Sequence, residues 1–419
     1  MIFMAEFFGR LWLKAALVCF ALVVAVAGDV SAAKRIVEAT GVYVMDSRLD
    51  ETGAAALLRA REDAERQAVE QASGIVKEMA NLLNLHLNNG EANIAAEQLL
   101  LIKSEKRKIE PIDGNASRYT VKIKAFIDEK DDVLLPEIVS DRELLAESVR
   151  QSAEVKREID GLAREMAALK QQYGGATLTE RTKIKERAAA NNERFAAAVA
   201  LKNGNALYMS GKYAEALNEY DESIGFNGNS PEAYNGRGLT YYRLHKLTEA
   251  AKDFDRAVAL RPSFVQAYNN RGIVRYDTGN AAAAVFDYKA ALAIDPHFVG
   301  ALNNRGNAYA AMGKYDKAER DYLAAIELSG DNAEIHANLG SVYFSQNRMG
   351  DAVAEYEKAI AAKSDYADAY YNRAAVYYTL GRYIEALPDA QKATELNPNH
   401  RAAKELQEKI ELKIKELGG

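Results

Sequence analysis

Cysteine is nearly absent from this chain. The 419 residues contain one, Cys19, inside an apolar run near the N-terminus. If that run is removed on export, the remaining chain has no thiol. Without thiols it forms no disulfides and performs no thiol chemistry. We therefore expect its fold to be indifferent to the redox state of its compartment.

An excess of basic residues is also missing. Sixty acidic side chains outnumber 54 basic ones, which gives a formal net charge of -6. Nucleic-acid-binding domains usually present a basic face, so the composition indicates no nucleic-acid partner. The presence of only 7 prolines fits a largely helical protein. The length allows two or three domains.

Motifs of catalysis and metal binding are missing as well. Five histidines are scattered without the spacing of a ligand set: His86, His245, His297, His336 and His400. The sequence has no His-Glu-x-x-His motif, no phosphate-binding glycine loop and no Gly-x-Ser-x-Gly elbow. We therefore expect no enzymatic activity, no cofactor and no metal site. His245 takes a turn position that Gly279 fills in the next repeat.

Residues 1–33 are predicted to be a signal peptide. Arg10 and Lys14 precede an unbroken apolar run, 15–27, and small residues follow it. These features are typical of a cleaved export signal, and we expect cleavage between Ala27 and Ala33. The protein would then be exported, to the periplasm or cell envelope. The alternative is an uncleaved N-terminal helix that anchors the chain, although a spanning helix needs roughly 20 residues.

One 34-residue unit recurs six times over residues 197–400. Small anchor residues recur at that period: Gly204, Gly238, Gly272, Gly306, Gly340 and Ala374. An aromatic ring follows each glycine anchor at a fixed offset: Tyr220, Phe254, Tyr288, Tyr322 and Tyr356. The sixth unit has Ala390 at that position. Alanine also recurs at a second fixed offset after every anchor. Such a fixed period indicates a repeat protein.

Each unit is predicted to be two short amphipathic helices. Small residues would lie where the helices touch, and the ring would fill the gap between pairs. One pair cannot bury its apolar face alone, but a stack can. In period and in these positions the array resembles the tetratricopeptide repeat (TPR) family. The resemblance implies a mainly α fold in which six TPRs form a helical solenoid.

The last segment, residues 401–419, is predicted to be a capping helix. Its apolar residues form one stripe among lysines and glutamates: Leu406, Ile410, Ile414 and Leu417. A solenoid needs such a polar-faced cap at its open end.

Residues 34–135 are predicted to form a small α+β domain of order β-α-β-β. Residues 36–45 are rich in β-formers, 52–83 read as a long helix, and 99–109 as a second extended run. Alanine recurs at every fourth position from Ala60 to Ala72, which lets a helix lie close to a sheet. Apolar residues alternate with polar ones from Tyr119 to Ile127, the period of a half-buried strand.

This segment resembles the N-terminal domain of flagellar assembly protein T and its relatives among exported bacterial proteins. The resemblance rests on the strand 39–43, the helix 59–68 and the closing strand with Asp128. It implies an envelope-associated assembly role without catalysis, and it transfers no functional residue. A basic cluster, Lys103, Lys106, Arg107 and Lys108, either meets an anionic envelope surface or is a solvated face.

Residues 139–195 are predicted to be a helical linker. Apolar residues spaced four and three apart form a short seam: Val155, Ile159, Leu162, Met166, Leu169 and Tyr173. A seam of this spacing is typical of a coiled coil. One interpretation is a short coiled coil that makes a homo-oligomer, and the other is a helical hairpin folded on itself or on the first repeat.

The predicted binding site is a groove lined by the first helix of each repeat. In TPR proteins this helix lines the concave face, where protein or peptide partners bind. Amides beside the anchors suit an extended peptide backbone: Asn269, Asn270, Asn303, Asn304, Asn307, Asn338 and Asn372. Rings one helical turn after the anchors form an aromatic stripe: Tyr242, Tyr276, Phe344 and Tyr378. We expect these side chains to face solvent in the free protein; alternatively, they belong to the generic repeat and only support its fold.

A second pattern is predicted to be structural. Arginine precedes four anchors, and aspartate follows it at a constant offset: Arg237 and Asp253, Arg271 and Asp287, Arg305 and Asp321, Arg373 and Asp389. The fifth repeat breaks the pattern with Leu339 and Glu355. We expect these pairs to join the two helices of each repeat.

Two functions remain open from the sequence. The first is an exported, non-enzymatic scaffold that binds a protein or peptide partner in the groove. The alternative is a structural component of the bacterial envelope that oligomerises through the helical linker.

Overall fold

The computed structural model describes residues 35–127, 135, 142–330 and 332–418. The predicted signal peptide with its cleavage window, and Asp128, lie outside these residues. The chain divides into two compact units, one ending at Asn229 and the other beginning at Ser230.

The first unit joins a small sheet to five helices. Its elements are β1 (Ile36–Asp46), a 3-10 turn (Ser47–Leu49), α1 (Gly53–Leu82), α2 (Asn89–Leu99), β2 (Leu100–Pro111), β3 (Ala116–Ile127), α3 (Arg142–Gly175), α4 (Leu178–Met209) and α5 (Tyr213–Phe226).

Its three strands form an antiparallel sheet in the order β1-β3-β2, covered on one face by α1. Every second residue of β3 from Tyr119 to Ile127 is buried, as the alternation predicted. The alanine stripe of α1 is buried on the same side, from Ala56 to Ala72. Alanine has no atoms beyond Cβ, so the helix and sheet backbones approach closely. The predicted packing of this helix on a sheet is confirmed.

One helix of this region was not predicted. The order is β-α-α-β-β, because α2 precedes β2. The side chain of Asn88 accepts from the amide of Glu91, and the Glu91 carboxylate accepts from the amide of Asn88. This capping box is a sequence-level signal for the start of a helix. The start of α2 could therefore have been predicted from the sequence.

The predicted linker is an antiparallel helical hairpin made of α3 and α4. Seam residues from Val155 to Leu169 are buried within the chain, and Met166 and Leu169 pack with Ile184 of α4. The hairpin is thus the interpretation that the structure supports. A single chain already covers this seam, and oligomerisation through it stays a prediction.

The second unit consists of five helical repeats and a cap. Its elements are α6 (Pro231–Arg243), α7 (Leu247–Leu260), α8 (Val265–Asp277), α9 (Ala281–Ile294), α10 (Val299–Ala311), α11 (Tyr315–Ser329), α12 (Ala333–Ser345), α13 (Met349–Ala362), α14 (Ala367–Thr379), α15 (Tyr383–Leu396) and α16 (Arg401–Glu416). The first repeat pairs the C-terminal part of α4 with α5, and belongs to the first unit.

Each anchor glycine lies against the ring of its own repeat, whereas the ring was expected to fill the gap between successive helix pairs. A Cβ added at Gly272 would come within 2.5 Å of Cε1 of Tyr288, and Tyr288 is 1% exposed. In the sixth repeat Ala374 and Ala390 are both fully buried. Loss of the ring there makes room for the extra methyl group at the anchor, so the two positions change together.

The cap α16 covers the last repeat. Ile410 is fully buried and packs with Ala386 and Ala390, while Leu406 and Ile414 lie at the margin of the same cluster. The capping prediction is confirmed for these residues. It is wrong for Leu417, which is 74% exposed because the helix ends at Glu416.

Candidate functional site

The candidate site lies on the layer formed by the first helices of the second unit, α6, α8, α10, α12 and α14. Each first helix contacts the first helix of the next repeat, whereas consecutive second helices make at most marginal contact. In a curved stack the layer with the closer neighbours is the inner one. The first helices therefore line the concave face of this unit.

Hydrogen bonds between asparagines cross from repeat to repeat on these helices. In each bond the Nδ2 of one asparagine donates to the Oδ1 of an asparagine in the preceding repeat. The bonds run from Asn270 to Asn235, from Asn304 to Asn269 and from Asn338 to Asn303, at 3.0, 3.0 and 3.1 Å. We call these six residues the asparagine ladder.

The ladder corrects the expectation that these amides face solvent. Asn235 is 4% and Asn269 7% exposed, and Asn270, Asn303, Asn304 and Asn338 are half-buried. Neighbouring first helices lie close enough for their amides to reach each other. An amide has two donors and an oxygen with two lone pairs. One bond within the ladder therefore leaves each amide further hydrogen-bonding capacity.

Two predicted asparagines lie outside the ladder. The Oδ1 of Asn307 accepts a hydrogen bond from the hydroxyl of Tyr322 at 2.6 Å. Asn372 has Ala337 where the preceding repeat would supply a partner. Asn372 is half-buried, and no side-chain hydrogen bond joins it to another described residue. It is the predicted groove residue with the most capacity left for a ligand.

The aromatic stripe is partly buried. The hydroxyl of Tyr242 donates to Oδ2 of Asp277 at 2.7 Å, which links two successive first helices. Tyr276 and Phe344 pack against the main core of the unit, and the ring of Tyr378 lies 5.3 Å from that of Tyr383. Ala310 interrupts the stripe in the fourth repeat. The rings thus support the repeats and retain partial exposure.

The arginine–aspartate pairs are confirmed in all four repeats that carry them. Each guanidinium makes two bonds to its aspartate, for example 2.8 and 2.7 Å from Arg305 to Asp321. Hydrogen bonding to Asp321 raises the pKa of Arg305 above its ordinary value. The Asp287 side chain is fully buried and also receives Arg275 at 2.7 Å. The aspartate of every pair is buried.

The fifth repeat replaces its missing pair with a histidine. His336 is 2% exposed, and its Nδ1 lies 2.6 Å from Oε2 of Glu355. Lys358 contacts the other carboxylate oxygen at 2.7 Å. One of the five scattered histidines is therefore structural. Leu339 marks the missing pair in the sequence, but the side chain that replaces the arginine is seen only in the structure.

The prediction that His245 is a turn residue is confirmed. His245 has a φ of 57°, in the left-handed region where Gly279 has 84°. It is exposed at the inter-helix turn, so it is a turn residue.

Charged side chains meet in the first unit at a site that sequence reasoning missed. Lys202 of α4 forms ion pairs with Glu62 and Glu65 of α1. Burial favours a lower pKa of Lys202, but these carboxylates raise it above its ordinary value. A cavity of about 470 Å³ lies beside them, with Glu97 and Glu219 also in its wall. The ion pairs fasten α1 to the helix that enters the first repeat.

In the part of the chain that the structure describes, no group of three or more His, Cys, Asp or Glu side chains is arranged to hold a metal ion. No helix there is both long and apolar enough to cross a bilayer.

Comparison with protein families identifies the repeats. Models of the TPR repeat match residues 204–245, 306–347 and 340–381. Further tetratricopeptide repeat models match residues 235–297, 287–320 and 367–400. The chain thus carries tetratricopeptide repeats from residue 204 to 400. These matches do not reach residues 34–135, where the resemblance to flagellar assembly protein T stays a prediction.

Several solved structures are similar to part of the chain. YrrB, a TPR protein with an unusual peptide-binding site, is 20% identical over 45% of this chain and 97% of its own, with a TM-score of 0.38. PilF of Pseudomonas aeruginosa is 14% identical over 52% and 99%, with a TM-score of 0.47. A thermophilic TPR protein of Thermus thermophilus is 26% identical over 43% and 99%, with a TM-score of 0.38. A search of curated proteins found no match.

Proposed function

We propose that this chain is a non-enzymatic scaffold that holds a protein or peptide partner against the concave face of its second unit. Proteins built from TPRs bind protein or peptide partners and are generally not catalytic. The asparagine ladder is the observation that supports the proposal most directly.

The ladder places amides with unused donors and acceptors along one line of helices. The backbone of an extended peptide presents donors and acceptors in the same alternating way. Asn372 adds an amide that is not committed to another described side chain. A partner that runs along α10, α12 and α14 would meet the ladder first and Asn372 at its end.

The aromatic stripe would supply the apolar part of this interface. Tyr276, Phe344 and Tyr378 are half-buried, so part of each ring remains accessible on the first helices. Aromatic residues tend to dominate the energy of protein interfaces. Because their inner edges are already packed, these rings would bind without a large loss of side-chain entropy.

Replacing Asn372 by alanine should weaken partner binding about fivefold, the effect of one lost hydrogen bond. The melting temperature should stay nearly unchanged, since this amide bonds to no other described side chain. The measurement is quantitative recovery of proteins from an envelope extract on the immobilised full chain, with circular dichroism for stability. By contrast, the double change Asn270→Ala with Asn304→Ala should lower both binding and melting temperature.

The matched control for this experiment is Gln391→Ala. Gln391 is an exposed amide on α15, the second helix of the same repeat. It should leave binding unchanged. Equal recovery by the Asn372 and Gln391 variants would place the partner away from the concave face and contradict the proposal.

We further propose that the scaffold works after export, in the periplasm or cell envelope. The support is the basic flank, the apolar run of residues 15–27 and the small residues after it. N-terminal sequencing of the protein from its native host should give a start between Ala27 and Ala33. A membrane-bound product that retains Met1 would instead support the uncleaved anchor.

A further inference from the structure

The sheet of the first unit has one face that no described element covers. On β3 the residues that alternate with the buried ones are Arg118, Thr120, Lys122, Lys124 and Phe126. The strand register places Lys106 and Lys108 of β2 beside them on one side, and Glu38 and Thr40 of β1 on the other. Helix α1 lies on the opposite face.

This face is positive although the chain as a whole is negative. Its cations are Lys106, Lys108, Arg118, Lys122 and Lys124, and its carboxylates are Glu38 and Glu110. We call these seven residues the basic sheet face. They leave an excess of three positive charges on three strands, whereas the whole chain has a net charge of -6.

Two lysines at its centre are placed against each other. Lys106 and Lys122 are direct partners in the register of β2 and β3. The two carboxylates are already occupied, because Glu38 pairs with Lys124 at 2.9 Å and Glu110 with Lys108 at 2.6 Å. Like charges directly opposite on neighbouring strands destabilise a sheet. An anion bound between these lysines would remove that repulsion.

Aliphatic side chains border the same charges. Ile36, Val42 and Val44 of β1 are 45%, 47% and 40% exposed, and Leu101 of β2 is 43% exposed. Cations interspersed with apolar side chains suit the interface of an anionic bilayer, where headgroups are charged and the acyl boundary is apolar. Nucleic acid would favour exposed rings for stacking, and the ring on this face, Phe126, is half-buried.

Positive charge and exposed aliphatic side chains on one sheet face thus favour one occupant, an anionic membrane surface. We propose that the basic sheet face is a docking surface for anionic lipid headgroups, with Lys106 and Lys122 as its central contacts.

Changing Lys106 and Lys122 together to glutamine should reduce partition to anionic vesicles about 30-fold, the effect of removing two basic residues near a charged membrane surface. The measurement is co-sedimentation of the full chain with vesicles of equal parts phosphatidylglycerol and phosphatidylcholine. Vesicles of phosphatidylcholine alone give the charge-independent part. The melting temperature of the variant should stay the same or rise, because the repulsion between the lysines is gone.

The control is the double change Lys252→Gln with Lys289→Gln, two exposed lysines of α7 and α9. It alters the net charge equally and should leave vesicle binding unchanged. Equal binding of the unaltered chain to neutral and anionic vesicles would overturn the proposal, as would equal losses in both double variants. A further contrary result is a chain that binds a single-stranded oligonucleotide but no vesicles, and loses that binding when Lys106 and Lys122 are changed. That result would also overturn the proposal, in favour of nucleic acid.

Discussion

Changing Gly41 to alanine is expected to unfold the sheet domain of the first unit, at a cost of about 3 kcal/mol or more. A Cβ at this position would lie 1.9 Å from the carbonyl oxygen of Ala60 and 2.4 Å from the amide nitrogen of Ala64. Both are backbone atoms of α1, so no change of rotamer can move them. The helix would have to leave β1, and the buried alanine stripe would lose its contacts.

The test is calorimetry of the full chain. The unfolding transition of the first unit should move to a lower temperature or disappear. Gly161→Ala is the matched control. Gly161 lies in α3, and a Cβ there would meet no atom within 4 Å. Alanine in a helix interior is preferred over glycine by about 0.5–1 kcal/mol, so this variant should be slightly more stable. An unshifted transition in the Gly41 variant would mean that α1 does not pack on β1 as described.

Removing Asp287 should destabilise the second unit by about 3–5 kcal/mol, as expected when one partner of a buried ion pair is deleted. Its fully buried carboxylate receives Arg271 at 2.7 Å and Arg275 at 2.7 Å. In an Asp287→Ala variant the guanidinium of Arg271, 12% exposed, would lose its buried partner. Urea unfolding followed by circular dichroism measures the loss.

Asp255→Ala provides a control with the same arginine. Asp255 contacts Arg271 at 2.8 Å, but its own side chain is 58% exposed. Exposed ion pairs contribute under about 1 kcal/mol, so this variant should unfold close to the unaltered chain. Similar losses in both variants would show that charge in general, and not burial of Asp287, stabilises the repeat.

The spacing of residues along the sequence revealed one part of the candidate site and not the other. The fixed repeat period placed the asparagines and rings on the first helices correctly. Spacing within one repeat also paired Arg305 with Asp321, because both helices of a hairpin belong to one local unit. It did not reveal that Asn304 donates to Asn269, since that bond depends on how closely successive repeats approach. Asn372 likewise stands out only once the ladder is seen to end at Ala337.

The sequence by itself determined the repeat fold, the positions of the anchor glycines and rings, and the alternation of β3. Each of these follows from a periodic pattern along the chain. Such a pattern does not depend on how distant segments pack. Only the tertiary structure decided that the linker folds back as a hairpin, that His336 replaces an arginine partner, and that Lys106 lies opposite Lys122. These depend on helix contacts and strand register, which join residues distant along the chain through packing that no local pattern specifies.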